Sequence, residues 1–159
     1  MNAESRISKT TIPRRGAETA EVDSELSTLL TRRRDLLLDT SGGTVPATFL
    51  LSPFLHAAKG SAAAVQGILL TDRLSDLADL VEETPFNTAV LGLAGTPRSE
   101  RGAVDRDPSL IVATPERLID HIRRENVDVA KVYTVVIEET SEDPAGYYTD
   151  FQYILSKIR

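Results

Sequence analysis

Two stretches of the chain hold residue types that could do chemistry. Glu138 and Glu139 are adjacent carboxylates that leave the end of an apolar run, Val132-Tyr133-Thr134-Val135-Val136-Ile137. Open α/β sheets form their ligand crevices beyond the carboxyl ends of their strands, so carboxylates there can hold a cation or activate a water. Ser41, Gly42, Gly43 and Thr44 form a glycine turn between a second apolar run, residues 35–40, and a helical pattern that begins near Pro46. Backbone amides at such a helix start can bind a phosphate. A triphosphate site also needs a lysine for the β- and γ-phosphates and a hydroxyl for Mg²⁺, supplied together as Gly-Lys-Ser/Thr. The turn continues instead as Val45-Pro46. It could present amides to a small anion, or be an ordinary βα turn with Thr44 as the helix cap. The two glutamates are equally the residue types of a solvated loop start, and Glu142 and Asp143 add negative charge without a matching lysine.

The elements that would position these residues follow from periodicity. Leu110-Ile111-Val112-Ala113, a helical pattern with Leu118, Ile119 and Ile122 on one face, and the run 132–137 make a βαβ unit with two buried parallel strands. Thr114 suits the N-cap of that helix, Pro115 its first position and Glu116 its positive end. Further strands are expected over residues 35–40, 65–70 and 88–93, and helices over 24–31, 46–58 and 74–83. The charged segment 98–108 reads as a surface loop. Tyr147, Tyr148, Phe151 and Tyr153, with Ile154, Leu155 and Ile158, read as the core face of a last helix. Residues 1–22 are polar and aperiodic and read as a flexible arm before a domain spanning 23–159. His56 and His121 lie without a neighbouring metal-ligand spacing and read as surface or boundary residues; no metal site is expected.

Composition narrows the class. A chain of 159 residues, 41% hydrophobic and 26% charged, can bury the core of one ordinary soluble domain. The absence of cysteine excludes disulfides and thiolate chemistry. No apolar run is long enough for a membrane span, and a cytoplasmic protein is the default expectation. The net charge of −6 speaks against strong autonomous nucleic-acid binding, which usually shows a basic face.

The order strand, Ala-Thr-Pro-x-Arg-Leu, helix, strand, acidic pair resembles the first RecA-like domain of DEAD-box ATP-dependent RNA helicases, over roughly residues 25–159. The resemblance implies an α/β RecA-like (P-loop NTPase-type) three-layer sandwich, with a mostly parallel sheet of about five strands. It also assigns family roles. Thr114-Pro115-Glu116-Arg117 stands where a Thr-Pro-Gly-Arg motif touches the nucleic-acid backbone, and Arg73 can be matched to a second RNA-contacting motif. Gly95 lies in the turn that takes the place of a Gly-Gly motif. Glu138 and Glu139 match the first two acids of Asp-Glu-Ala-Asp, which serve magnesium and the attacking water; Ser141 replaces the closing Asp. In the phosphate loop the match puts Thr44 at the last glycine, Val45 at the lysine and Pro46 at the magnesium hydroxyl. The glutamine that reads adenine would fall near Asp23, and no glutamine precedes Gln66. Glu116, in place of glycine, would repel an RNA phosphate.

The expectation is therefore a degenerate helicase-like domain without ATPase or helicase activity, a pseudoenzyme serving as a binding or scaffold module. Its partners would be another protein or a longer parent chain, with no cofactor and no membrane. The alternative is an ATP- and RNA-binding fragment of an ATP-dependent RNA helicase, using ATP, Mg²⁺ and RNA. The sequence ends before the Ser-Ala-Thr strand that in the family separates the phosphate-loop strand from the acidic-motif strand, leaving open what fills that slot.

Overall fold

The computed structural model describes residues 7–11, 35–39, 47–57, 67–130, 132–138 and 144–158. The chain divides into two compact units, Met1–His56 and Ala57–Arg159. In the first unit, β1 (Ile7–Thr11) and β2 (Asp35–Asp39) form a two-stranded parallel sheet with Ile7 beside Asp35 and Thr11 beside Asp39. Helix α1 (Ala47–Ala57) follows, with Phe49, Leu50, Leu51 and Phe54 buried. A strand inside the segment read as a flexible arm is a departure from expectation. Ile7, Thr10 and Thr11 have β-favouring side chains, and pairing with the apolar run of β2 gives that short polar stretch a partner. The helix expected over 24–31 and the turn Ser41, Gly42, Gly43 and Thr44 lie outside the described residues.

The second unit is a four-stranded parallel sheet in the order β4-β5-β3-β6. Its strands are β3 (Gly67–Leu70), β4 (Thr88–Leu91), β5 (Leu110–Ala113) and β6 (Thr134–Ile137). Connecting them are α2 (Leu74–Glu82), α3 (Pro97–Val104) and α4 (Pro115–Arg123); α5 (Pro144–Leu155) follows β6. The fold is thus α/β of RecA-like type, as expected, with six described strands in two sheets rather than about five in one.

Position in the sheet explains the sequence of each strand. β3 and β5 have neighbours on both sides and are buried at every residue, which is why they read as unbroken apolar runs. β4 is at one edge among the described residues and alternates between buried and half-buried residues. β6 reads as apolar as β5 yet is the opposite edge among the described residues, its own residues half-buried or exposed rather than buried as expected.

On one face of the sheet, Ile68, Leu70, Ala89, Leu91, Ile111 and Ala113 form a single core with Leu118 and Ile119 of α4, and with Phe151 and Ile154 of α5. Complete burial of one such side chain contributes roughly 1.5–3 kcal/mol. α2 buries Leu74, Leu77 and Val81, as its spacing predicts, while Leu80 stays half-buried. The last helix fulfils its expected role in part: Phe151 and Ile154 are core, whereas Tyr148 and Leu155 are exposed. Tyr153 is half-buried, and its ring faces the Arg123 guanidinium at 5.2 Å and the Lys157 ammonium at 5.1 Å.

The segment 98–108 is corrected from surface loop to helix over most of its length. Thr96 caps α3 by accepting from the Ser99 amide, Ser99 returns a contact to the Thr96 amide, and Pro97 takes the first helical turn. The dense charge of the segment hides this start signal, because three of its charged residues, Arg98, Glu100 and Arg101, sit on α3 itself.

Candidate functional site at the carboxyl edge of the sheet

The parallel ladder continues one residue past the strands. Thr71 N–H donates to the Ala113 carbonyl (3.1 Å), Thr114 N–H to the Leu91 carbonyl (3.4 Å) and Glu138 N–H to the Leu70 carbonyl (2.9 Å). These bonds set Gly92, Thr114, Thr71 and Glu138 side by side, one after each strand, at the edge where open sheets bind ligands. Two polar clusters are built on that row.

The first joins the ends of β3 and β6. Glu138 is buried, and Arg73 closes on its carboxylate as a fork: Nη2 lies 2.8 Å from Oε1 and Nε donates to Oε2 at 3.1 Å. The Thr71 hydroxyl donates to the same Oε2 at 2.7 Å and accepts the Arg73 backbone amide at 3.0 Å. A bidentate guanidinium together with a hydroxyl satisfies both oxygens of this carboxylate. Arg73 and Glu138, expected as an RNA contact and a catalytic acid, lie against each other in this cluster.

The second cluster is centred on Glu100, buried on α3. Its Oε1 accepts the Gly92 amide at 2.8 Å. Its Oε2 lies 3.0 Å from His121 Nε2 and 3.5 Å from Arg117 Nη1. Asn126 Nδ2 stands 3.3 Å from His121 Nδ1. His121 has no exposed surface, so the surface or boundary position expected for it is corrected. It is buried because α4 turns both its apolar stripe and this residue inward.

Thr114 and Arg117 occupy the start of α4 as the sequence predicts. The Thr114 hydroxyl accepts the Arg117 amide at 3.4 Å, Pro115 lies in the first turn and Glu116 is exposed. Gly95 has φ +94° and packs against Ser99, where a Cβ would stand 2.5 Å from the hydroxyl oxygen. Gly92 was not among the expected site residues. It has φ +99°, and a Cβ there would meet Thr114 Oγ1 at 3.2 Å and the Arg117 Cβ at 3.3 Å, so the β4 turn and the α4 start approach closely only through a glycine. Glu100 was also missed. Its only sequence signal is the i, i+4 spacing with Val104 on a helix announced by Thr96-Pro97. The phosphate-turn candidates and Glu139 lie outside the described residues. The side chain of His56 does too.

Chemically, both arginines at this edge are neutralised by buried glutamates, and their side chains are only 21% and 23% exposed. Among the described residues no group of three or more histidines or acids could hold a metal ion.

No protein-family model matches the chain. Individual proteins do. Over 150 residues, 89% of this chain, it is 28% identical to the DEAD-box ATP-dependent RNA helicase CshA of Geobacillus kaustophilus. Over 141 residues it is 30% identical to the ATP-dependent RNA helicase DeaD of Buchnera aphidicola subsp. Schizaphis graminum. A stretch of 57 residues is 40% identical to the DEAD-box helicase CshA of Bacillus subtilis. Its relatives are DEAD-box RNA helicases. The chain is accordingly a helicase-related domain, and it spans 32%, 23% and 12% of the length of these three proteins.

Proposed function

We propose that this helicase-related domain does not hydrolyse ATP and works as a binding or scaffold module for a protein partner. One observation carries the reading: the Glu138 carboxylate, in the position of the family's magnesium acid, is closed by the Arg73 fork and the Thr71 hydroxyl. A Mg²⁺ ion keeps near-ideal octahedral geometry and is held through carboxylates and waters. A guanidinium 2.8 Å from the carboxylate occupies the side a dication would approach and repels it. As arranged, Glu138 does not fit a magnesium ligand. Val45 in the place of the phosphate-loop lysine supports the same reading, since nothing there would neutralise the β- and γ-phosphates.

The alternative, an ATP- and RNA-binding piece of an RNA helicase, draws support from the α4 start. Thr114, Arg117 and the positive-φ Gly95 keep the residue types of the family's backbone contacts. Against it stand the exposed Glu116 at that helix start and the engagement of Arg117 by Glu100, which leave little positive charge for a phosphate.

The deciding experiment titrates ATP–Mg²⁺ into the isotopically labelled full chain and follows the amide signals of Ser41 to Val45 and Glu138 to Ser141. The expected result is no saturating shift at either loop and no ATP turnover with or without single-stranded RNA. Shifts at both loops that saturate below about 1 mM, the upper range of ordinary substrate constants, would overturn the proposal in favour of the alternative. Among the described residues no helix is long and apolar enough to cross a membrane.

A further inference from the structure

The cluster on Glu100 sets one carboxylate against two groups that can each carry a positive charge. Oε2 takes both contacts, His121 Nε2 at 3.0 Å and Arg117 Nη1 at 3.5 Å, while Oε1 holds the Gly92 amide. Burial differs among the three side chains. His121 has no exposed surface and Glu100 keeps 7%, whereas Arg117 keeps 23% of its side chain in water.

The surroundings of His121 can satisfy a charged ring as well as a neutral one. A neutral imidazole has one donor and one acceptor nitrogen, and an imidazolium has two donors. Glu100 accepts on the Nε2 side of a charged ring. On the other side stands the Asn126 amide, its Nδ2 3.3 Å from Nδ1. The oxygen and nitrogen of such an amide exchange places by a half-turn, so Asn126 can donate to a bare Nδ1 or accept from a protonated one. Among the described residues no charged side chain but Glu100 contacts the ring, and Arg117 shares its oxygen. β4 and β5, packed under α4, hold no charged residue. The other charged residues of α3, Arg98, Glu100's neighbour Arg101 among them, are exposed, and the one charged residue of α5, Asp150, lies near Glu116 and Arg123.

We infer that His121 is a proton-operated release for Arg117. With the ring neutral, one carboxylate meets one guanidinium and the cluster carries no net charge. When the ring takes a proton from solvent, the same carboxylate faces two cations in a site largely closed to water. A buried excess charge is costly, and like charges that share one oxygen repel. The nearer group, the imidazolium, keeps the carboxylate through a shortened charge-assisted bond. The excess is then relieved through the member that already reaches water: Arg117 leaves Oε2 and swings outward on its long side chain. Protonation thus uncovers, at the carboxyl edge of the sheet, a positive charge that the neutral ring leaves matched and half-buried.

The test is a pH series on the isotopically labelled full chain, from about pH 8 to about pH 5, the window in which imidazoles change charge. The His121 ring carbon signals report the proton, and the Arg117 Nε–H signal reports the guanidinium. The two should shift together, over the same pH range and reversibly. His121→Gln keeps a side-chain amide on the Glu100 side and takes no proton, so in that variant the Arg117 signal should stay fixed through the series. Asn126→Leu leaves a charged ring without an acceptor at Nδ1. Its ring signals should change at lower pH than in the parent chain, and the Arg117 signal should follow them down. This second variant decides the matter should His121→Gln fail to fold. A ring that changes charge while the Arg117 signal stays fixed overturns the inference. So does an Arg117 signal that still moves in His121→Gln, or a ring that takes no proton before the chain unfolds.

Discussion

Arg73 and Glu138 hold each other at the carboxyl edge of the sheet, and removing either leaves a different problem. Arg73→Ala takes the guanidinium fork away from a buried carboxylate, which should cost roughly 2–4 kcal/mol in urea unfolding. Glu138→Gln keeps a carbonyl acceptor and removes the charge, so its cost should be the smaller of the two. The reverse order would mean that the guanidinium, not the carboxylate, is the group that burial penalises. Asp150 offers a pH test. Burial raises its pKa above the ordinary 3.8, the Glu116 carboxylate adds to the rise and Arg123 opposes it. The folded chain therefore holds this proton more tightly than the unfolded chain. That contribution is fully present below pH 3.8 and is lost as the pH climbs through the raised value, so ionised Asp150 is a liability at neutral pH. Asp150→Asn should raise the melting temperature slightly at pH 7, and the gain should vanish below pH 3.8. Both members of the Arg73–Glu138 pair were legible in the sequence as candidate site residues. Their contact was not, because 65 positions separate them and only the register of β3 against β6 brings them together.

At the scale of elements, α3 decides how the carboxyl edge is held. Its capped start turns Glu100 inward, and one carboxylate then ties the β4 turn, through the Gly92 amide, to α4, through His121 and Arg117. Glu100→Ala should cost about 3 kcal/mol in urea unfolding, since it takes the shared partner away from the half-buried Gly92 amide, the buried His121 ring and Arg117. Gly92→Ala should cost about 1–3 kcal/mol for two reasons: a positive φ that L side chains rarely adopt, and a Cβ tight against Thr114 and Arg117. An unchanged midpoint for Gly92→Ala would show that the turn can re-form with negative φ. The α4 start was legible to the residue, because Thr-Pro-Glu carries its own local physics. α3 was hidden beneath its charges, and the burial of Glu100 and His121 depends on tertiary partners that no periodicity encodes.

At the scale of the whole molecule, the legible part was the alternation of apolar runs with helical patterns, which requires parallel strands joined by helical crossovers. Strand order was less legible. Among the described residues β6 carries the sequence of a buried strand and occupies an edge, and β1 carries the sequence of a polar tail and pairs with β2. In both cases pairing partners distant in sequence overrode local composition. The same topology sets an order of events during synthesis. β3 lies between β5 and β6, both of which emerge later, so it can gain a first neighbour once Ala113 is made and a second only once Ile137 is made. Through that interval a fully buried strand of the sheet has one open side on a chain already long enough to collapse. Slow, non-local closure of this kind exposes a nascent chain to aggregation. The Glu138–Arg73 clasp can shut only once Glu138 has been made, and it then pins the second neighbour of β3 in place.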